Sequence, residues 1–199
     1  TRLLGKLSEL TDRGIPVHFF GGNHDIWTYR YLHDECGVTL YHSPYTEFEL
    51  DGRKVIVGHG DMLGPRPAGQ RILSAIFRSR LLQWLFSMLH PYWAMMLGKG
   101  WSRSNRTSRP VAHIFRGEEE PIIGFAHEYQ RTHPSASADL FICGHTHCAE
   151  VYPLAEGGAV AFLGEWIDNP LYGVLGPGGF ELKGYPDRAV IGKSGTTRQ

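Results

Sequence analysis

Three short polar motifs each follow a mainly apolar stretch, and this arrangement restricts the fold more than any other feature of the sequence. The motifs are, in chain order, Gly22-Asn23-His24-Asp25, Gly58-His59-Gly60-Asp61 and Gly144-His145-Thr146-His147. The stretches before them, 17–20, 54–57 and 140–143, have the residue types of buried strands. Because ligands bind at the carboxyl ends of strands in open α/β sheets, we expect the three motifs to converge on one site.

The side chains of these motifs suit a metal site. Imidazole nitrogen combined with amide or carboxylate oxygen favours divalent transition metals such as Mn, Fe or Zn. The carbonyl oxygen of Asn23 can bind a cation without adding charge, and an extended backbone would put His145 and His147 on one side. The alternatives are an ordinary Asx turn at 23–25 and a pair of surface histidines at the third motif.

His24 and Asp25 are candidates for acid–base chemistry. A neighbouring carboxylate favours the protonated imidazole, so His24 beside Asp25 could hold its proton at neutral pH. Such a group donates to a phosphoryl oxygen or to a leaving alkoxide.

The cysteines indicate a reducing compartment, because there are three of them without the spacing of a disulfide framework. Cys143 and Cys148 flank the third motif. They are either additional metal ligands or ordinary core residues, and the second interpretation is favoured.

The composition changes sharply between Met62 and Gly117, where nine Arg or Lys residues occur and no Asp or Glu. Three of the five tryptophans are also there, and 81–89 is strongly apolar. The segment could contact anionic lipid, capture an amphiphilic substrate, bind nucleic acid, or simply pack on the body as a basic helical hairpin. The apolar character favours lipid, so no nucleic-acid partner is expected.

Periodicity predicts an α/β (α+β) fold with helices at 1–13 and 26–35, two or three short helices within the basic segment, and one helix from 118 to about 131. Asp51-Gly52 predicts a two-residue hairpin turn. Four further strands are expected after Cys143, and a disordered tail after Ile191. The predicted core is 1–63 and 132–199, with a helical insertion at 64–131.

Taken together, the three motifs resemble the later motifs of the calcineurin-like metallophosphoesterases. The resemblance implies a two-layer β sandwich flanked by helices, with two divalent ions, often Mn, that clamp a phosphate and activate a bridging water. It implies that Asn23, His59 and His145 bind one ion and that His147 binds the other. His24 would be the catalytic imidazole, supported by Asp25.

The insertion and the phrase 162–167 resemble one branch of that family, the UDP-2,3-diacylglucosamine diphosphatases of lipid A synthesis. That resemblance implies cleavage of a lipid nucleotide into UMP and a diacylglucosamine 1-phosphate, beneath a lid that holds the acyl chains. Arg103, Asn105 and Arg106 would contact phosphate. It further implies a cytoplasmic protein held peripherally on the anionic inner membrane. A generic phosphodiesterase of the same fold and a non-catalytic membrane-binding relative stay open as alternatives.

The sequence departs from the family pattern at its front. The family opens with an Asp-X-His strand end and a Gly-Asp segment, and neither occurs in these 199 residues. We therefore expect an amino-terminally incomplete chain that binds metal weakly and hydrolyses little by itself.

Overall fold

The computed structural model describes residues 2–26, 28–108, 114–186 and 189–194, and for 101–108 the backbone alone. The elements are α1 (Arg2–Asp12), β1 (His18–Phe20), α2 (Tyr31–Cys36), β2 (Thr39–Tyr41), β3 (Thr46–Leu50), β4 (Arg53–Gly58), α3 (Ala68–Arg78), α4 (Arg80–Ser87), α5 (Pro91–Ser108), α6 (Pro121–Thr132), β5 (Leu140–Cys143), β6 (Ala149–Pro153), β7 (Ala159–Leu163), β8 (Leu171–Gly176), β9 (Gly179–Gly184) and β10 (Val190–Ser194). Short 3₁₀ turns occur at Gly117–Glu119 and Pro134–Ala136.

A five-stranded sheet in the order β3-β4-β5-β7-β6 forms the centre of the molecule. Its strands β4, β5 and β7 are parallel, while β3 and β6 run antiparallel at the two edges. Gly58 at the end of β4 is the register partner of Cys143 at the end of β5. The second and third motifs therefore leave the sheet at the same level.

The β3–β4 hairpin confirms the predicted turn. Leu50 pairs with Arg53, which leaves Asp51 and Gly52 as a two-residue connection. Both connecting residues have positive φ, 50° and 69°, as a type I′ turn requires. The turn fixes the register that carries β4 toward His59.

The second layer is a three-stranded antiparallel sheet in the order β10-β9-β8. Its Phe180 and Leu182 pack with Val55 and Leu140 of the central sheet in one buried apolar cluster. A second cluster lies between the central sheet and α6. This is the predicted two-layer sandwich with a flanking helix. The predicted disorder is wrong for residues 192–194, which pair with β9.

A separate pair of parallel strands, β1 and β2, positions the first motif. Phe20 and Tyr41 stack with ring centroids 4.7 Å apart, and both contact Phe48 of β3 edge to face. These aromatic contacts hold the pair beside the central sheet. The Gly21 N–H donates to the Tyr41 carbonyl at 3.2 Å and extends this pairing into the motif.

Helices α3, α4 and α5, called the lid helices below, form most of the predicted insertion. No described residue of α3 or α4 is buried. In contrast, Ile122, Ile123 and Ala126 of α6 lie in the core. The insertion predicted at 64–131 is therefore too long at its end, because the apolar face of α6 belongs to the sandwich. Among the described helices, none combines the length and the apolar character needed to cross a bilayer.

Candidate metal centre

The first two motifs meet through Asn23 and His59. The Oδ1 atom of Asn23 lies 3.2 Å from the Nε2 atom of His59. Two donor atoms on adjacent corners of an octahedral ion with bonds near 2.1 Å stand about 3 Å apart. The side-chain amide oxygen and the imidazole nitrogen are therefore spaced as two ligands of one cation would be.

Gly22 makes this approach sterically possible. A Cβ atom built on Gly22 would lie 2.7 Å from Cε1 and 2.9 Å from Nε2 of His59. Any other residue would collide with the imidazole ring, so the loop of the first motif reaches His59 only because position 22 has no side chain. This constraint depends on three-dimensional proximity and was not foreseen from the sequence.

His145 lies beside His59, with ring centroids 5.3 Å apart in an edge-to-face arrangement. The Gly144 N–H donates to the His59 carbonyl at 3.0 Å, which joins the two loops directly. His145 and His147 have φ of 67° and 59°. The extended backbone that would put both rings on one side does not occur there, since the chain passes through left-handed conformations at both residues.

His147 lies at the start of the antiparallel β6–β7 pair. Ala149 pairs with Leu163, and the Gly164 N–H donates to the Cys148 carbonyl at 2.8 Å. The next residue outward on each chain is His147 on one side and Glu165 on the other. The carboxylate of Glu165 and the imidazole of His147 also interact electrostatically.

Burial lowers the pKa of His59 below its ordinary value. The charges of Asp61 and Asp25 oppose this shift, whereas those of His24 and His147 reinforce it. All three motifs therefore act electrostatically on one imidazole. The shift favours the neutral form, which is the form that binds a metal.

Asp25 makes a different contact from the predicted one. Its Oδ2 atom accepts a hydrogen bond from the Gly22 N–H at 3.0 Å, and its own N–H donates to the Gly22 carbonyl. The carboxylate therefore closes the turn that carries Asn23. The side chain of His24 is exposed next to it.

Cys143 and Cys148 take the ordinary role that the sequence favoured. Both are buried in the core cluster beneath α6. Burial raises the pKa of the Cys143 thiol to about 12 and also raises that of Cys148. Neither thiol therefore resembles a preformed thiolate ligand.

The side chains are of the types that bind a divalent ion, but few of them lie close together. Within the described part of the chain, no three His, Cys, Asp or Glu side chains lie close enough together to hold a metal. Asn23 and His59 are at ligand spacing, and His145 is the nearest addition. The substrate contacts expected at Arg103, Asn105 and Arg106 lie on α5, and their side chains are outside the described residues.

One contact near the site was missed from the sequence. The Nη2 atom of Arg78, at the end of α3, donates to Oδ2 of Asp61 at 3.0 Å. The Asp61 side chain is only 10% exposed and that of Arg78 is 29% exposed. The sequence marked Asp61 as a residue of interest because it lies within the second motif. It gave no indication that Arg78 would be its partner.

Comparison with known proteins agrees with the motifs. A UDP-2,3-diacylglucosamine hydrolase from Porphyromonas gingivalis is 33% identical over 187 residues, which cover 87% of this chain and 70% of that protein. Enzymes of the same name from Aeromonas hydrophila and Escherichia coli are each 26% identical, over 86% and 83% of this chain and over 70% and 68% of their own length. No protein-family profile matches the chain.

An archaeal phosphodiesterase structure aligns with 96% of this chain and 74% of its own, at 12% identity and a TM-score of 0.38, which is too low to inform the fold. The relatives and the motifs define a hydrolase of the metallophosphoesterase class, which uses divalent metal. The chain belongs to the UDP-2,3-diacylglucosamine hydrolase family.

Proposed function

We propose that this protein hydrolyses the pyrophosphate bond of UDP-2,3-diacylglucosamine with the help of two divalent ions, which we propose to be Mn²⁺. Water adds to one phosphorus as the bridging P–O bond breaks, which gives UMP and 2,3-diacylglucosamine 1-phosphate. Identity to hydrolases of that name supports the substrate. The observation that carries the proposal is the ligand-like spacing of Asn23 and His59 at the ends of two strands.

Each predicted site residue of the motifs has a proposed role. Asn23, His59 and His145 would bind one ion and His147 the second. Bound metal supplies charge stabilisation for the phosphoryl oxygens and a more acidic water. His24, which is exposed in the loop of the first motif, would donate a hydrogen bond or a proton to the phosphate group. Asp25 would act by holding the turn that presents Asn23 and His24.

The lid helices are proposed to receive the acyl chains and to rest on the anionic inner membrane from the cytoplasmic side. Their apolar side chains are unusually exposed, as shown by Ile72, Leu81 and Trp84 at 62%, 64% and 58%. Basic residues interleave with them, without any acidic residue in the segment. Arg103, Asn105 and Arg106 would contact the phosphates from α5.

A second candidate is a membrane-binding relative that does not catalyse. The sparse donor set within the described residues favours it. It shares the lid helices with the first candidate but predicts no release of UMP. The two candidates therefore separate in a single assay.

The test is release of UMP from UDP-2,3-diacylglucosamine in detergent micelles with Mn²⁺, compared for the wild-type chain, His59→Ala and His33→Ala. His33 is a matched control, because it lies on the exposed face of α2. Because the opening motifs of the family do not occur in these 199 residues, we expect slow but measurable release by wild type and by the control, and loss of that release in His59→Ala. Cleavage of bis(4-nitrophenyl) phosphate without UMP release would indicate a generic phosphodiesterase, and no cleavage of either would indicate the binding relative.

A further inference from the structure

A short loop follows β7 next to the strand that leaves the third motif. The Gly164 N–H donates to the Cys148 carbonyl and continues the antiparallel pairing, and the charge of His147, the residue before Cys148, acts on the carboxylate of Glu165. Gly164 has φ of 73°, and a Cβ there would lie 2.5 Å from the Leu171 side chain. The chain therefore turns sharply at Gly164, two residues before Trp166.

The carboxylate of Glu165 organises the loop. It accepts backbone hydrogen bonds from Ile167, from Asp168 at 3.0 Å and from Asn169 at 2.6 Å. The loop closes where the Tyr185 N–H donates to the Pro170 carbonyl at 2.9 Å. These bonds brace the backbone at 165–170, although the side chains from Trp166 to Asn169 are exposed.

Two aromatic rings stand together on this support. The rings of Trp166 and Tyr185 have centroids 5.8 Å apart and planes inclined by 36°. Their residues are 60% and 58% exposed. Large aromatic side chains on a braced loop near the third motif present planar apolar surface that the described part of the protein leaves exposed. We call Trp166 and Tyr185 the aromatic platform.

We propose that the aromatic platform stacks the uracil base of the nucleotide half of the substrate. This inference rests on the proposed function and assigns a binding site to the nucleotide end of that substrate. A nucleoside monophosphate places its base a single ribose away from its phosphate, and Trp166 is two residues beyond Gly164, whose hydrogen-bond partner Cys148 directly follows His147. The two acyl chains need far more apolar area than two rings offer, and the lid helices supply that area.

The test compares UMP with ribose 5-phosphate, which has the same phosphate and sugar but no base. Both are titrated calorimetrically in the presence of Mn²⁺ against wild type, Trp166→Ala, Trp166→Phe and Tyr31→Ala. Tyr31 is the matched control because it is a 55% exposed aromatic residue on α2, outside the lid helices. Stacking of a base on an aromatic ring is lost on substitution by alanine, so we expect Trp166→Ala to weaken UMP binding by about tenfold.

In the same experiment Trp166→Phe keeps most of the affinity for UMP, because it keeps a ring. Ribose 5-phosphate binds all four proteins equally. UMP quenches tryptophan fluorescence in wild type, and the quenching is lost in Trp166→Phe, although UMP still binds. These results together would locate the base on Trp166.

The inference is overturned if wild type does not bind UMP, if Trp166→Ala binds it as wild type does, or if ribose 5-phosphate loses affinity to the same extent. It is also overturned if Trp166→Ala changes only sedimentation with phosphatidylglycerol vesicles, which would make the loop a membrane contact. UMP binding does not require turnover. If UMP binding depends on Trp166 but the substrate releases no UMP, only the proposed hydrolysis is wrong. If the substrate releases UMP but UMP binding does not depend on Trp166, only the aromatic platform is wrong.

Discussion

At the scale of single residues, the candidate site depends on how closely two loops approach. His59 contacts Asn23 through its Nε2 atom, and its ring lies against the backbone of Gly22. The residues of each motif can be named from the sequence. How closely Asn23 approaches His59 depends on the small residue, Gly22, that precedes Asn23. Position 22 therefore tests the site without removing any proposed ligand.

Gly22→Ala should displace the His59 ring from Asn23, because the new Cβ would lie 2.7 Å from Cε1 of the imidazole. We expect overpacking to lower the free energy of unfolding by about 1–3 kcal/mol. The fractional loss of Mn²⁺ affinity should be larger than the fractional loss of stability. Urea unfolding and Mn²⁺ titration measure the two effects. Gly21→Ala is the control, since its Cβ would come no nearer than 3.8 Å to its neighbours. Equal Mn²⁺ binding by both variants would contradict the argument.

A second residue-scale feature lies away from the site, around His127 on α6. Its two ring nitrogens contact Glu156 at 2.6 Å and Glu118 at 2.9 Å, and the Tyr152 hydroxyl donates to Glu118 at 2.7 Å. Burial acts to lower the pKa of His127, but the bonds to the two carboxylates outweigh it and raise the pKa. The protonated imidazole thus ties α6 to the 3₁₀ turn and to the β6–β7 connection.

A raised pKa in the folded state means that His127 stabilises the protein fully below its unfolded pKa, about 6.5, and that this contribution is lost as pH rises through the higher folded value. We expect His127→Gln to lower the thermal midpoint more at about pH 6 than at about pH 9. Thermal melts monitored by circular dichroism check this. His42→Gln, at an exposed position, is the control. A constant difference across the pH range would argue against the ion pairs.

At the scale of elements, parallel register brings the second and third motifs together, and one ion pair connects the site to a lid helix. Ser79 caps α4 by accepting from the Leu82 N–H at 3.5 Å, and Gln83 donates to the Phe77 carbonyl at 2.8 Å. These bonds fix the corner between α3 and α4. Arg78 then anchors that corner to Asp61, two residues beyond His59.

Arg78→Ala should loosen α3, since no residue of that helix is buried to hold it otherwise. We expect faster amide exchange across 68–78 and a loss of about 1 kcal/mol or less in global stability. Arg71→Ala on the same helix is the control. A charge exchange, Asp61→Arg with Arg78→Asp, should restore part of the protection. Unchanged exchange in Arg78→Ala would show that other contacts hold the helix.

The sandwich itself depends on apolar packing between its two sheets. Leu182 of β9 is fully buried against the central sheet. Leu182→Ala should cost about 2–5 kcal/mol, through lost burial and the cavity left behind. Chemical denaturation measures the change. Val174→Ala on β8, at a 40% exposed position, should cost far less, and similar costs for the two would contradict the two-layer arrangement.

At the scale of the whole molecule, charge and apolar surface are concentrated on one segment. The chain has no formal net charge, yet 62–117 carries nine basic residues and no acidic one, so the rest is acidic. The lid helices also expose most of their large apolar side chains. This combination is typical of surfaces that meet an anionic bilayer.

We expect the protein to sediment with phosphatidylglycerol vesicles and not with phosphatidylcholine vesicles. Binding should weaken as salt rises from about 0.1 M to 1 M, because the Debye length falls from about 10 Å to 3 Å. Trp84→Glu should reduce binding severalfold, because it puts a charge on the apolar face. Tyr31→Glu, at a 55% exposed position on α2, is the control. Salt-independent binding to both lipids would contradict the electrostatic contribution.

The sequence by itself determined the strands other than β10, the hairpin turn, the division of the lid segment into short helices and the residues of the three motifs. These follow from local causes, namely apolar periodicity, the positive φ available to Asp51-Gly52, and the helix breaks near Ser79 and Pro91. Tertiary structure decided that Gly22 must be small and that Arg78 reaches Asp61. It also assigned α6 to the core and turned His145 and His147 through left-handed backbone. These features depend on distances between segments far apart in the chain, which periodicity and spacing do not encode.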